Sequence, residues 1–144
     1  MARPREFDMD QALDAALSTF WTQGYEATSM TDLMEATGLH KGSLYKAFED
    51  KHDLFMKSLT RYLDGAWAMS QATLTQAKTP LDSLRGWLEG AAQLCSKQPI
   101  QRGCMAMNTA IELGPHDGEV ARLLRSHHER VSKLLTETIQ RGQQ

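Results

Sequence analysis

Three lysines, Lys41, Lys46 and Lys51, recur at five-residue intervals, and Tyr45 lies among them. Ammonium groups at that spacing, with a phenol able to hydrogen-bond, suit a row of phosphate oxygens. Lys41-Gly42-Ser43 opens a short helical pattern, so free backbone N–H groups and the positive helix end point outward at the same place. The chemistry on offer is non-covalent recognition of a phosphate or a base edge. Cys104 is a second candidate. Arg102 and the start of a helix stand close to it, and both favour thiolate, whereas a cysteine without them is usually a small buried hydrophobe. Cys95 has no comparable neighbours. His116, His127 and His128 with the two cysteines match no metal-ligand spacing, so no metal or cofactor is expected. Nothing supplies the ordered third group or oxyanion donors that a Cys104 or His116 catalyst would need, so an enzyme is not expected.

The elements that must position these residues can be read from caps and periodicity. Residues 1–7 form a short basic arm in which Arg3 and Arg5 either reach a minor groove or stay unordered. Asp8 and Gln11 resemble a capping box, and Leu13, Ala16, Leu17, Phe20 and Trp21 make one stripe of a first helix that Gly24 ends. Ser29 and Asp32 cap a short second helix with Met30, Leu33 and Met34 inward, stopped by Gly38. Leu39-His40-Lys41-Gly42 is a tight connection, and Ser43 to Phe48 is a third short helix with Leu44 and Phe48 apolar. Asp50 and Asp53 cap a fourth helix reaching about Thr75. Thr79-Pro80 opens a fifth with Leu81, Leu84, Trp87, Leu88, Ala91 and Leu94 inward, and Lys97-Gln98-Pro99 breaks it. Gly103 to Leu113 is a sixth helix, apolar on most sides and therefore expected to be buried. Asp117 caps a seventh that runs almost to the last residue, with His127 and His128 on different sides and one toward solvent.

Composition agrees with this all-α reading. The 144 residues contain 18 Leu, 16 Ala and 8 Met but only five Val and Ile, which favours helix over sheet. No apolar run approaches the roughly 18 residues of a membrane span, and no signal-peptide core is present, so a cytoplasmic protein with reduced cysteines is expected. Net charge is −2, and the first 60 residues hold six Lys or Arg against ten Asp or Glu. Binding to a polyanion must therefore rest on a local cluster.

Two short helices around Gly38-Leu39-His40 have the layout of a helix-turn-helix: a small residue lets them cross steeply, apolar residues dock them, and polar residues open the second. The stretch from Ala15 to Phe55 resembles the DNA-binding domain of the TetR family of bacterial repressors. The residues that carry this are Gly24-Tyr25-Glu26-Ala27-Thr28-Ser29, Ala36-Thr37-Gly38-Leu39, Lys41-Gly42-Ser43-Leu44-Tyr45-Lys46-Ala47-Phe48 and Lys51-His52-Asp53-Leu54-Phe55. The resemblance implies a DNA-binding domain over 1–50 and a helical effector-binding and dimerisation domain over 51–144. It implies a homodimer on a palindromic double-stranded operator, released by a small-molecule effector. By motif position, Thr28 and Ser29 would touch backbone, His40, Lys41, Gly42 and Ser43 would lie in the major groove, Tyr45 and Lys46 would hold phosphates, and Lys51 would anchor the start of the fourth helix. His40 stands where similar sequences often have Ser, which makes it a candidate specificity residue or a neutral surface change.

Beyond residue 60 the resemblance is looser. Arg102-Gly103-Cys104-Met105, Asn108, Glu112-Leu113 and Pro115-His116-Asp117 look like a branch of the family in which some members sense electrophiles or oxidants through a cysteine. A repressor gated by Cys104 is therefore the alternative to one gated by reversible ligand binding. Trp87, Leu88, Cys104, Met105, Met107 and Leu124 are the candidate effector-binding residues, although such a stripe is more often plain core. The family usually adds two further helices that form the dimer interface, whereas this sequence stops at Gln144; either a tail follows or the dimer contacts lie elsewhere. A helical adaptor that ignores DNA is the remaining alternative.

Overall fold

The computed structural model describes residues 8–96 and 101–144, and every regular element among them is a helix. The helices are α1 (Met9–Gln23), α2 (Met30–Thr37), α3 (Lys41–Ala47), α4 (Lys51–Gln76), α5 (Pro80–Ser96), α6 (Met105–Glu112) and α7 (Gly118–Gly142). The basic arm with Arg3 and Arg5 and the break at Lys97-Gln98-Pro99 lie outside the described residues. None of these helices is long and apolar enough to cross a membrane.

Local chemistry sets most boundaries. The Asp8 carboxylate accepts from the N–H groups of Asp10 (2.9 Å) and Gln11 (3.4 Å), so α1 starts there. At its end, Gly24 adopts φ +84° and its N–H donates to Phe20 O. Gly38, at φ +69°, closes α2 in the left-handed conformation that glycine adopts without penalty. The α2–α3 connection is therefore complete by His40, and α3 begins at Lys41, with Lys41-Gly42-Ser43 as its opening, and not at Ser43. Gly42 needs no positive φ there. Farther along, Gly103 takes φ +66°, which no helix accommodates, so α6 starts at Met105 and not at Gly103. Thr79 caps α5 by accepting from Asp82 N (3.1 Å), and Asp117 caps α7 through the N–H groups of Glu119 and Val120.

Two compact units divide the chain between Arg61 and Tyr62. The first buries Ala12, Ala16 and Phe20 of α1, Leu33 of α2, Leu44 of α3, Phe48, and Leu54, Phe55 and Leu59 of α4. Phe55 packs edge-on against Phe20 at 5.0 Å and against Tyr25 at 4.9 Å. In the second unit, Leu63 and Leu74 of α4, Met105 of α6, Leu113 just after α6, and Val120 of α7 are buried. Arg141 ties the end of α7 to the end of α4, donating to Leu74 O and to Thr138 Oγ1 at 3.1 Å each.

Two expectations about the second unit are corrected. On α6 only Met105 and Thr109 are buried, while Ile111 is 76% exposed. An eight-residue helix packed on α7 has one covered face, whatever the composition of the others. On α5, Leu81 is exposed with Leu88, and Trp87 is half-buried, so the expected inward stripe is only partly inward.

Candidate nucleic-acid interface

A capping box fixes the start of α2. Ser29 Oγ accepts from Asp32 N at 3.0 Å, and the Asp32 carboxylate accepts from Ser29 N at 2.7 Å. The Ser29 N–H, and then its hydroxyl, holds the Asp32 carboxyl below the usual carboxylate range. Leu33 then turns inward while Ser29 stays exposed.

Thr28 is placed differently from the expectation. It is fully buried, its hydroxyl donates to Gly24 O at 2.6 Å, and its carbonyl accepts from Lys51 Nζ at 2.9 Å. The same ammonium lies 4.3 Å from the Tyr25 ring centroid. Thr28 and Lys51 thus form a strut between the approach to α2 and the start of α4. The Thr28 side chain offers no surface to an outside partner. An expected contact of Thr28 with backbone is therefore not one this side chain makes.

On α3 the inward and outward residues separate cleanly. Leu44 is buried and Ala47 half-buried, whereas Lys41, Gly42, Tyr45 and Lys46 are exposed. Spacings of three and four residues put these four on one outward face. Ser43 is half-buried beside them, and His40 is exposed at the N-cap, where its side chain makes no capping hydrogen bond. Lys41 Nζ lies 6.0 Å from the Tyr45 ring centroid. Around Gly42 there is open space: among the described residues, a methyl group there would meet no atom within 4 Å outside its chain neighbours and its own helix backbone.

At the start of α4, Lys57 donates to Asp53 at 2.7 Å and lies 5.3 Å from the Phe48 ring centroid. Lys57 leads the causes that hold the Asp53 carboxyl below the carboxylate range. Farther along, Arg61 binds two carboxylates of α1. Its Nε and Nη2 donate to the two oxygens of Asp14 at 2.6 and 3.0 Å, and Nη1 donates to Asp10 at 3.0 Å. Sequence reading missed this cluster, because 47 residues separate Arg61 from Asp14 and no local pattern links them.

Residues 12–56 match the family described as bacterial regulatory proteins, tetR family, and residues 80–144 match the tetracyclin repressor-like, C-terminal domain. The chain belongs to the tetR family. The HTH-type transcriptional repressor ComR of Escherichia coli is 37% identical over 134 residues, covering 92% of this chain and 64% of that protein. An uncharacterized HTH-type transcriptional regulator of Bacillus subtilis, YezE, is 32% identical, covering 99% of this chain and 71% of that protein. The chain thus spans under two thirds of the length of ComR. Among solved structures, a cysteine-substituted variant of the TetR family transcriptional regulator CifR, complexed with a 26-bp double-strand operator DNA, superposes with a TM-score of 0.84 at 30% identity. That match covers 98% of this chain and 73% of CifR. A TetR family regulator from Agrobacterium tumefaciens superposes at 0.82 with 25% identity, covering 92% of this chain and 70% of that one.

In the second unit of this tetR-family chain, the residues expected to meet an effector do not share one environment. Met105 is buried, Leu124 is half-buried, and Trp87 is half-buried with Nε1 donating to Ser70 Oγ at 2.9 Å. Leu88 and Met107 are 61% and 62% exposed, positions open to solvent in place of a cavity wall. Cys104 is half-buried, its Sγ 3.6 Å from Tyr62 Oη, and it stands at the N-cap of α6 without a capping hydrogen bond. The turn before it is held by Asn108, whose Nδ2 donates to Arg102 O at 2.7 Å. Burial first, and then Cys104, pushes the Tyr62 phenol well above its ordinary value. His127 and His128 differ as expected: His128 is exposed, whereas His127 Nδ1 is buried with no hydrogen-bond partner among the described residues, and Arg130, which the sequence did not single out, lies 5.0 Å from the Trp67 ring centroid. Burial, then Arg130 and His128, lowers the His127 pKa, and Asp64 opposes them.

Proposed function

We propose that this chain is an operator-binding transcriptional repressor of the cytoplasm, acting as a homodimer on a palindromic duplex and released by a small-molecule effector. The observation that carries the reading is the outward face of α3, where Lys41, Gly42, Tyr45 and Lys46 stand exposed behind a docked Leu44. Membership of the tetR family and the likeness to CifR, solved on operator DNA, support it. Residues 1–50 read the duplex, and residues 51–144 house the effector and dimer contacts. Lys41, Gly42 and Ser43 enter the major groove with His40 beside them, Tyr45 and Lys46 bind phosphates, and Ser29 meets backbone at the start of α2. Lys51 and Thr28 brace the unit from inside. The missing side chain at Gly42 leaves room for a base edge to approach.

Release follows from a population shift. Two recognition helices about 34–36 Å apart fit one turn of duplex, and an effector that prefers another spacing lowers affinity. By linkage, the operator weakens that effector by the same factor. Trp87, Cys104, Met105 and Leu124 are the buried or half-buried members of the effector set, with Leu88 and Met107 at its exposed margin. Selection of duplexes from a randomised pool tests the reading: the chain should enrich one sequence with two-fold symmetry. Enrichment of none, or of single strands only, contradicts it.

A second reading, in which oxidation or alkylation of Cys104 replaces reversible ligand binding, is supported by the Tyr62 phenol beside the thiol at the first turn of α6. Cys104→Ser separates the two: release by an oxidant that survives this change removes the second reading.

A further inference from the structure

Two side-chain contacts tie α1 to α4 at separate points within the first unit. Phe20 meets Phe55 edge-on at 5.0 Å, and Asp14 meets Arg61 through a two-pronged bond of 2.6 and 3.0 Å. Moving six residues back along α1 corresponds to moving six residues forward along α4, so the two helices run antiparallel. The contacts are about 9 Å apart along each axis. The ring contact, with Tyr25 on the same Phe55 and Lys51 on Thr28 O, holds the C-terminal end of α1 and the chain just after it; an attachment one to two turns back along α1 fixes the crossing angle. Arg61 supplies that attachment and extends it by another turn through Nη1 to Asp10 at 3.0 Å. The guanidinium fork matches carboxylate geometry, so the bond sets direction as well as distance. Asp14 is held below the carboxylate range chiefly by its bond to Arg61. α2 packs directly on α1. The angle of α1 on α4 therefore governs how α2, and α3 beyond it, are presented.

We propose that Arg61 is a positioning residue for operator binding: by clamping Asp10 and Asp14 it fixes α1 on α4 and so holds the α2–α3 unit in its reading orientation. It touches no DNA itself. This rests on the operator-binding reading above, and it adds a residue outside the stretch, 12–56, that matches the family's DNA-binding domain.

The test uses the full chain and the duplex that the unsubstituted chain enriches from a randomised pool. Arg61→Gln should weaken binding to that duplex by about fivefold, the upper end for an exposed but forked ion pair. The slope of log affinity against log salt should stay unchanged, because no phosphate contact is lost. Asp14→Asn should give the same loss, although removing a negative charge would by itself favour a polyanion. The double variant should lose no more than either single one. Circular dichroism and a urea midpoint keep folding in view, with Asp10→Asn as a milder variant that leaves the Asp14 fork in place. Several results overturn the proposal: binding by Arg61→Gln equal to the parent, a slope reduced by about 0.9 that marks a phosphate contact, or additive losses in the double variant. A loss of folding stability in Arg61→Gln with affinity per folded molecule unchanged also overturns it, since the role is then structural only. If the unsubstituted chain enriches no duplex, the operator reading itself falls and takes this inference with it.

Discussion

Lys51 Nζ donates to the carbonyl of Thr28 at 2.9 Å, so the most C-terminal of the three regularly spaced lysines is engaged inside the first unit. A phosphate-binding lysine and a bracing lysine differ in what their removal does. Lys51→Met should destabilise the chain by about 1–2 kcal/mol, from a lost charged hydrogen bond and a lost cation–π contact with Tyr25. A urea titration measures this. In operator binding its salt slope should match that of the parent, whereas a slope lower by about one unit would place Lys51 on a phosphate.

Gly42 gives a prediction with two opposite signs. A glycine inside a helix costs about 0.5–1 kcal/mol relative to alanine, and nothing within 4 Å requires its small size. Gly42→Ala should therefore raise the urea midpoint and at the same time weaken duplex binding. A stabilised variant that binds as well as the parent would remove close approach of DNA at this position.

Ser29→Ala should cost about 1 kcal/mol, since it removes the side-chain half of the capping box. The Asp32 half has a pH signature. Its carboxyl is held below its ordinary value of 3.8, so its contribution is present above that pH and lost as the pH falls through the lower folded value. Acid titration of the parent and of Asp32→Asn, followed by helicity, checks the sign; identical acid limbs would contradict it.

His127 has the opposite charge type and the same direction of effect. Its folded pKa lies below 6.5 because burial disfavours the cation, reinforced by Arg130 and His128 and opposed by Asp64. The unfolded chain therefore binds the proton more readily, and stability present above pH 6.5 is lost as the pH falls through the lower folded value. Between about pH 7.5 and about pH 5.5 the thermal midpoint of the parent should fall further than that of His127→Gln. Equal falls would show that the buried Nδ1 does not sense pH.

How much of this was legible in the sequence depends on range. Asp8, Ser29, Thr79 and Asp117 act on N–H groups two or three residues away, and all seven helices followed from such local signals and from apolar periodicity. The sequence offers two starts for α3, Lys41 and Ser43, because two glycines stand near one turn, and only Gly38 needs the left-handed conformation. The burial of α6 was overestimated because periodicity reports composition around a helix and not how many neighbours cover it. Thr28 and Lys51, 23 residues apart, and Arg61 and Asp14, 47 apart, meet only once α4 lies beside the other helices. A regular lysine spacing is identical on paper whether the third ammonium faces outward or inward.

The central claim, that the outward face of α3 binds duplex DNA, is tested most directly by fluorescence anisotropy of the enriched duplex across a salt series. The parent chain is compared with Lys46→Ala and with Ser43→Ala and His40→Ala. The account predicts tight binding at low salt and a slope shallower by about 0.9 for Lys46→Ala, with equal weakening on all sequences. It predicts altered base preference for the Ser43 and His40 variants. A parent chain that ignores every double-stranded probe at low ionic strength, or a Lys46→Ala chain that binds with unchanged affinity and slope, would contradict it.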